Sequence, residues 1–202
     1  TDFIFNTLLF LIGGFLVMWM AAGFAMLETG LVRSKNASTQ LLKNVALFSL
    51  ASIAYFIVGF NLMYPGDGWI IDGWMGGFSL TGLEPAGVGA DGVDLTYASV
   101  GSDFFFQLMF CAATASIVSG TVAERVKLWP FLIFTIVLTG IFYPISASWQ
   151  WGGGWLSEAG FSDFAGSTVV HATGAAAALA GAMVIGARHG RYKDDGSVIP
   201  MP

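Results

Sequence analysis

The chain has 202 residues, of which 55% are hydrophobic and only 10% charged, against about 25% charged in an ordinary soluble domain. A mean hydropathy of +0.73 leaves too little polar surface to coat a water-soluble fold, so the class is an integral membrane protein. A net charge of −5 without a basic patch of useful size excludes nucleic acid as a partner, and a single cysteine, Cys111, excludes an internal disulfide and a cysteine-based metal site.

No positively charged segment precedes the first apolar stretch, which is too long for the apolar core of a leader peptide. The start at Thr1, without an initiator Met, fits removal of a leader or excision from a longer chain. Only a helix or a closed barrel satisfies its backbone in lipid, and a helix needs about 20 apolar residues to cross. Five predicted spans meet that demand, at about 3–28, 41–64, 100–122, 128–147 and 164–187. They define an all-α, polytopic membrane helix bundle. The fifth is dense in Gly and Ala, from Gly174 to Ala182, and its small side chains predict close, central packing.

Charge placement orients the spans. All eight Lys and Arg residues follow the first, third and fifth: Arg33, Lys35 and Lys43; Arg125 and Lys127; Arg188, Arg191 and Lys193. The alternate loops, 65–99 and 148–163, hold acids and no base. The positive-inside rule then puts the N-terminus outside and residue 202 in the cytoplasm, in a multi-pass plasma (cytoplasmic) membrane protein. The long 65–99 loop is Gly-rich and acidic. Asp91 and Asp94 within it fit a calcium site poorly, since their spacing matches no known loop pattern, and a solvated extracellular loop is the plainer reading.

Ionisable groups within or beside spans are costly and demand a reason. Glu28 ends the first span, where an interfacial acid paired with a nearby base is expected. Asp103 opens the third span and Asp163 the fifth, where a carboxylate suits the positive end of a helix. Asp163 has a second reading, a negative centre at the mouth of a cation route; the two roles are compatible. His171 lies two turns into the fifth span among Val169, Val170 and Ala172, with nothing local to bond its ring. It is either a satisfied core residue or a polar group that relays protons or binds a solute. No second His, Cys or carboxylate lies at ligand spacing, so no metal is expected. Nor is a cofactor or enzymatic chemistry, for no nucleophile arrangement or phosphate-cradling loop appears.

Aromatic residues form a second group. Trp149, Trp151 and Trp155 surround Gly152–Gly154 in the outer loop. They read as an interfacial belt or as a cation–π face for an ammonium-like ion. Phe104, Phe105, Phe106 and Phe110 crowd the third span, and Phe106 and Phe110, four apart, share one helical face. Packing against lipid and plugging a narrow pore are both open to them.

From Asp163 to Arg188 the sequence reads DFAGSTVVHATGAAAALAGAMVIGAR. This resembles the signature segment of the ammonium transporter (Amt/Mep/Rh) family. The Gly-Leu-Val-Arg-Ser-Lys-Asn run after the first span, Phe-Gln-Leu-Met-Phe in the third, Val-Ala-Glu-Arg at 122–125 and Trp-Gly-Gly-Gly at 151–154 extend the resemblance over essentially the whole chain. It implies that Trp151 recruits ammonium by cation–π contact at the outer face. Phe106 and Phe110 match stacked rings that gate the pore below, Asp163 organises the recruitment site, and His171 is the first of two pore histidines. Trp151 favours the Amt/Mep branch, because Rh-type members generally lack that tryptophan.

The same resemblance implies a homotrimer in the cell inner membrane and a PII-type regulator on the cytoplasmic face. It also implies two inverted five-helix halves with the pore between them. The chain corresponds to the N-terminal half. The partner histidine, a second gate ring and a recruitment serine belong to the other half, which a longer protein or another polypeptide supplies. The function implied is passage of ammonium or ammonia; the alternative is an ammonium sensor that signals through a cytoplasmic domain.

Overall fold

The computed structural model describes residues 1–80 and 97–200. Glu84, Asp91 and Asp94, and with them the calcium reading, lie outside the described residues. Among the described residues, five helices are long and apolar enough to cross a membrane: α1 (Asp2–Gly30), α2 (Ser34–Met63), α3 (Val100–Thr121), α4 (Leu128–Ser148) and α5 (Ser167–Ile185). They alternate in direction. At one end Asn6 of α1 donates to the Tyr97 carbonyl, and the Ser99 amide donates to Thr7 Oγ1. At the other, the chain after α1, the turn after α3 and the chain after α5 are tied together through Arg33, Glu124 and Arg188. The basic residues therefore gather at one end of the bundle.

The centre is α3, not α5. Leu108, Met109, Cys111, Ala112, Ala115 and Val118 of α3 are all buried, and this helix packs on α1, α2, α4 and α5. On α5 only Gly174 and Ala178 are buried within the regular helix, while Met183 and Val184 are 78% and 87% exposed. Within this chain the fifth span lies at the margin, where central packing is the expectation. Small residues permit close approach but supply little area of their own, so one stripe of α5 meets α3 and the rest has no partner here.

Among the described residues, three helices carry a π turn: Tyr55–Gly59 in α2, Leu138–Phe142 in α4 and Ser167–Ala172 at the start of α5. The extra residue of a π turn displaces the local hydrogen bonds, and neighbouring side chains reach carbonyls there. Cys111 Sγ donates to the Thr139 carbonyl at 3.4 Å, and Thr114 Oγ1 donates to the Val170 carbonyl at 3.4 Å. Cys111 is thus a small buried packing residue.

Two further corrections concern α2 and its flanks. The helix begins at Ser34, well before residue 41, so Lys43 belongs to the bundle and not to a loop. It is 5% exposed, donates to the Ser119 carbonyl at 2.9 Å and lies 4.8 Å above the Phe131 ring. After α2 the chain forms a short antiparallel hairpin, β1 (Trp69–Ile71) with β2 (Met75–Gly76), which the alternation of apolar residues is too brief to announce.

Candidate functional site

Asp163 ends the outer loop three residues before Gly166, where the backbone turns left-handed at φ 81° to launch α5. The residue is 5% exposed. Oδ1 accepts from the Gly166 amide at 2.8 Å and the Ser167 amide at 3.1 Å; Oδ2 accepts from Thr168 at 2.8 Å and Val169 at 2.7 Å. These are the orphan donors that open any helix. Burial alone would push this carboxyl up, but the four backbone donors outweigh it and hold it below the usual carboxylate range. With its oxygens so engaged, the group serves α5 first. Of its two readings, the structure displays the capping one directly.

Asp163 also reaches the site through its backbone: its carbonyl accepts from the Trp151 indole Nε1 at 2.7 Å. That bond fixes the long axis of the indole. The six-membered edge lies over Gly166, where an added Cβ would stand 3.2 Å from Trp151 Cη2 and 2.7 Å from Val170 Cγ2. Gly166 is therefore required twice, by its φ and by the ring above it.

Trp151 meets Phe110 at 6.2 Å between centroids and 65° between planes. Phe110 in turn meets Phe106 at 4.9 Å and 75°. All three rings are half-buried. Phe106 and Phe110 are thus edge-to-face, which corrects the expectation of stacked rings. Both project from one face of α3 a turn apart, and this edge-on contact suits the ring quadrupoles. Phe106 also leans on Phe10 of α1 at 5.0 Å. The other two phenylalanines are structural: Phe104 packs against Tyr55 and Phe60, and Phe105 against Phe15.

The three loop tryptophans separate in space. Trp155 stacks on Trp74 of the hairpin turn at 4.6 Å and 10°, and Trp149 donates its indole N–H to the Trp74 carbonyl at 2.8 Å. Those two pin the hairpin to the loop, while Trp151 turns to α3 and α5. The sequence run of tryptophans around glycine does not distinguish them. Gly152 permits the sharp turn between them, since a Cβ there would collide with the Met63 carbonyl.

His171 is exposed on this chain, and Nδ1 lies 3.3 Å from the Gly166 carbonyl. Its ring thus has a local partner after all, one that the π turn creates by bringing residue 171 over residue 166. On this chain it is not buried in a core. It shares α5 with the unpartnered apolar stripe, one π turn below Trp151's contact with Gly166.

Asp103 is not the cap of α3. Ser99 is, accepting from the Ser102 amide at 3.2 Å, and Asp103 sits a turn deeper toward the Tyr64 hydroxyl and Gln107. Glu28 is not an interfacial acid paired with a base. It is 3% exposed and takes its donors from Gln40, Asn44 and Ser119.

The acid that does pair with bases is Glu124, part of the Val-Ala-Glu-Arg run. It is a non-glycine residue at φ 62°, a conformation that costs an ordinary side chain energy and points to a compensating constraint. Its Oε1 accepts from the Arg33 amide and Nε, both at 3.0 Å, and from the Asn36 side chain. Its Oε2 stands 3.4 Å from Arg188 Nη1. Burial pushes this carboxyl up, but the Asn36 and Arg33 donors prevail and hold it low. A carboxylate followed at once by bases, as Glu124 is by Arg125 and Lys127, is the signal that could have singled it out.

The model of the Ammonium Transporter Family matches residues 8–201. The chain is 44% identical over 202 residues to the ammonium transporter Amt2 of Archaeoglobus fulgidus, across 95% of this chain and 41% of that protein. It is 39% identical over 188 residues to the ammonium transporter Amt2 of Haloferax mediterranei, across 93% of this chain and 40% of that one. The crystal structure of Saccharomyces cerevisiae Mep2 superposes with a TM-score of 0.76 at 25% identity, covering 93% of this chain and 41% of Mep2. A Candida albicans Mep2 mutant also gives 0.76, at 29% identity, with 91% and 40% covered. The chain thus spans about two fifths of the length of these relatives. Matched along nearly all its own length by sequence and by fold, the chain belongs to the ammonium transporter family.

Proposed function

We propose that this chain forms the N-terminal half of an ammonium transporter domain and carries the aromatic entrance through which ammonium passes across the membrane. Trp151, Phe110 and Phe106 form a wall of half-buried rings that receives the cation on its π faces, where partial desolvation strengthens the attraction. Asp163 acts from behind, fixing Trp151 by its carbonyl and α5 by its carboxylate. His171, on the side of α5 that has no partner here, lines the passage and handles the polar solute once past the rings. The observation that supports this reading best is the Trp151–Asp163 bond, which sets one of three loop tryptophans apart and turns it toward Phe110.

The rest follows the family. A homotrimer in the cytoplasmic membrane, with the N-terminus outside and residue 202 in the cytoplasm, agrees with the gathering of bases at one end. That end would face a PII-type regulator. Arg33 and Arg188 are already engaged with Glu124, and Arg191 with the Ile199 carbonyl, so among the described residues Lys35, Lys127 and Lys193 are the bases left for such a contact.

The test is an ammonium-evoked current from protein purified at its natural length, its mass checked, in liposomes. A saturable current whose half-saturating concentration rises in Trp151→Leu is expected. Unchanged concentration dependence in that variant would remove the cation–π role. Binding of ammonium without any current would favour the sensor.

A further inference from the structure

At the base-rich end, the two oxygens of Glu28 have different surroundings. Oε2 accepts from Ser119 Oγ at 2.6 Å, from Asn44 Nδ2 at 2.9 Å and from the Gln40 amide. Oε1 has no hydrogen-bond donor among the described residues. A buried carboxylate oxygen without a donor is among the most costly groups a fold can hold, unless a ligand completes it. Oε1 lies on the side of Gly120: a Cβ there would stand 3.5 Å from it. Glu28 and Gly120 both line a cavity of about 200 Å³ between α1 and α3, whose wall continues through Phe24, Leu27, Ser116 and Arg188. That volume holds a small ion with several waters, at roughly 30 Å³ per water.

The charges nearby are already committed. Lys43 donates to the Ser119 carbonyl and lies over Phe131; it is near enough to Glu28 to attract it, but forms no ion pair with it among the described residues. Arg188 is paired with Glu124 and donates to the Leu31 carbonyl at 3.1 Å. Arg125 donates to the carbonyls of Thr121 and Gly186. The wall keeps acceptor atoms on offer. Ser116 Oγ donates to the Ala112 carbonyl at 3.2 Å, and its lone pairs remain for a cation. α1 and α3 both end here without a basic residue in the last turn, so their dipoles add negative potential.

We propose that this cavity binds a small monovalent cation of the ammonium class, held by Glu28 Oε1 at the opposite end of the bundle from Trp151. The site rests on the geometry of Glu28; the choice of ammonium as its natural occupant rests on the transport reading above. Gly120 serves as the window, because any larger residue would place atoms between the carboxylate and the cavity.

Thallous ion, an ammonium-sized cation with strong anomalous scattering, is the probe. Crystals of the protein at its natural length, soaked in it, are expected to show a peak beside Glu28 Oε1 that added ammonium displaces. Gly120→Ala puts a methyl in ordinary van der Waals contact with Oε1 and should cut occupancy at least about tenfold without unfolding α3, since Ala favours a helix over Gly. Glu28→Gln should abolish the peak; should that variant fail to fold, Gly120→Ala still decides. No peak in the parent, or one of equal height in both variants, overturns the proposal. Ammonium flux without a peak removes this site and leaves the transport reading intact. A peak displaced by ammonium in a protein without flux supports the site and removes the transport reading.

Discussion

Asp163 and Glu28 lie at opposite ends of the bundle, both almost wholly buried, and they are satisfied in opposite ways. Asp163 draws its donors from four backbone amides within six residues of itself. Glu28 draws on side chains of α2 and α3, and leaves one oxygen turned toward a cavity. The first arrangement is local and complete, and it survives wherever the segment folds. The second is assembled only when three helices dock, so its occupancy and the packing of the bundle depend on each other. A buried acid with local backbone partners is a piece of architecture; one with distant side-chain partners and a free oxygen is available for binding.

The largest expected effect tests the local arrangement. Asp163→Ala leaves four helix-opening amides without their acceptor, at about 1–3 kcal/mol for each donor that stays buried. Loss of folded protein is therefore expected in detergent melts, with Asp163→Asn intermediate because one oxygen remains. Acid should mimic the change. A carboxyl held low in the folded state contributes stability in full above the ordinary value near about 3.9, and loses it as pH falls through the depressed one. Indole fluorescence from Trp151 should accordingly stay constant down to about pH 4 and move only below it; a transition near neutral pH would refute this assignment.

Next comes Glu124→Gln. It leaves Arg33 and Arg188 facing a neutral amide, one of whose termini cannot accept, and should lower stability by about 1–3 kcal/mol as a charged hydrogen bond is lost. Addition of salt should narrow the gap between variant and parent only slightly, because the Glu124 side chain is fully buried. Gly166→Ala asks for a left-handed alanine under Trp151 and Val170, at about 1–2 kcal/mol of backbone strain. Its signature should be a shifted Trp151 emission along with the lowered melting point; a melting point that falls with unchanged emission would uncouple the ring from the turn.

Trp151→Leu should lower stability modestly, as the Asp163 carbonyl loses its indole donor, and raise the half-saturating ammonium concentration about two- to twelvefold, from a cation–π contribution of about 0.5–1.5 kcal/mol. His171→Leu is smallest in stability, since the ring is exposed, and should appear instead in the ratio of current to flux. An identical ratio would deprive His171 of its part in charge transfer.

The helices themselves are legible in the sequence because lipid imposes long, uninterrupted apolar runs, and the sorting of bases is legible because it is a matter of counting. Trp151, Asp163 and His171 stand out through their residue types in apolar surroundings and through the family resemblance. What escapes is everything set by docking. The exposure of α5 depends on which neighbours are present, and small residues alone do not say. Edge-to-face contact of Phe106 with Phe110 depends on rotamers that Phe10 and Trp151 impose. The division of labour among Trp149, Trp151 and Trp155 depends on a hairpin whose strands are too short to carry a pattern. Lys43, Glu28 and Glu124 read as ordinary charges near loops until distant helices bring their partners, so burial reverses their meaning.

Gly166 has a consequence for how entry and passage are joined. Its carbonyl takes the backbone amides of Val170 and His171 and lies 3.3 Å from the His171 ring, while its Cα lies beneath Trp151. One residue without a side chain is thus the common floor of both rings, with no flexible linker between them. Displacing the indole would tilt the peptide on which the imidazole rests, so perturbations at Trp151 and His171 should not add, and the interaction energy of a double-mutant cycle would measure the stiffness of a single glycine.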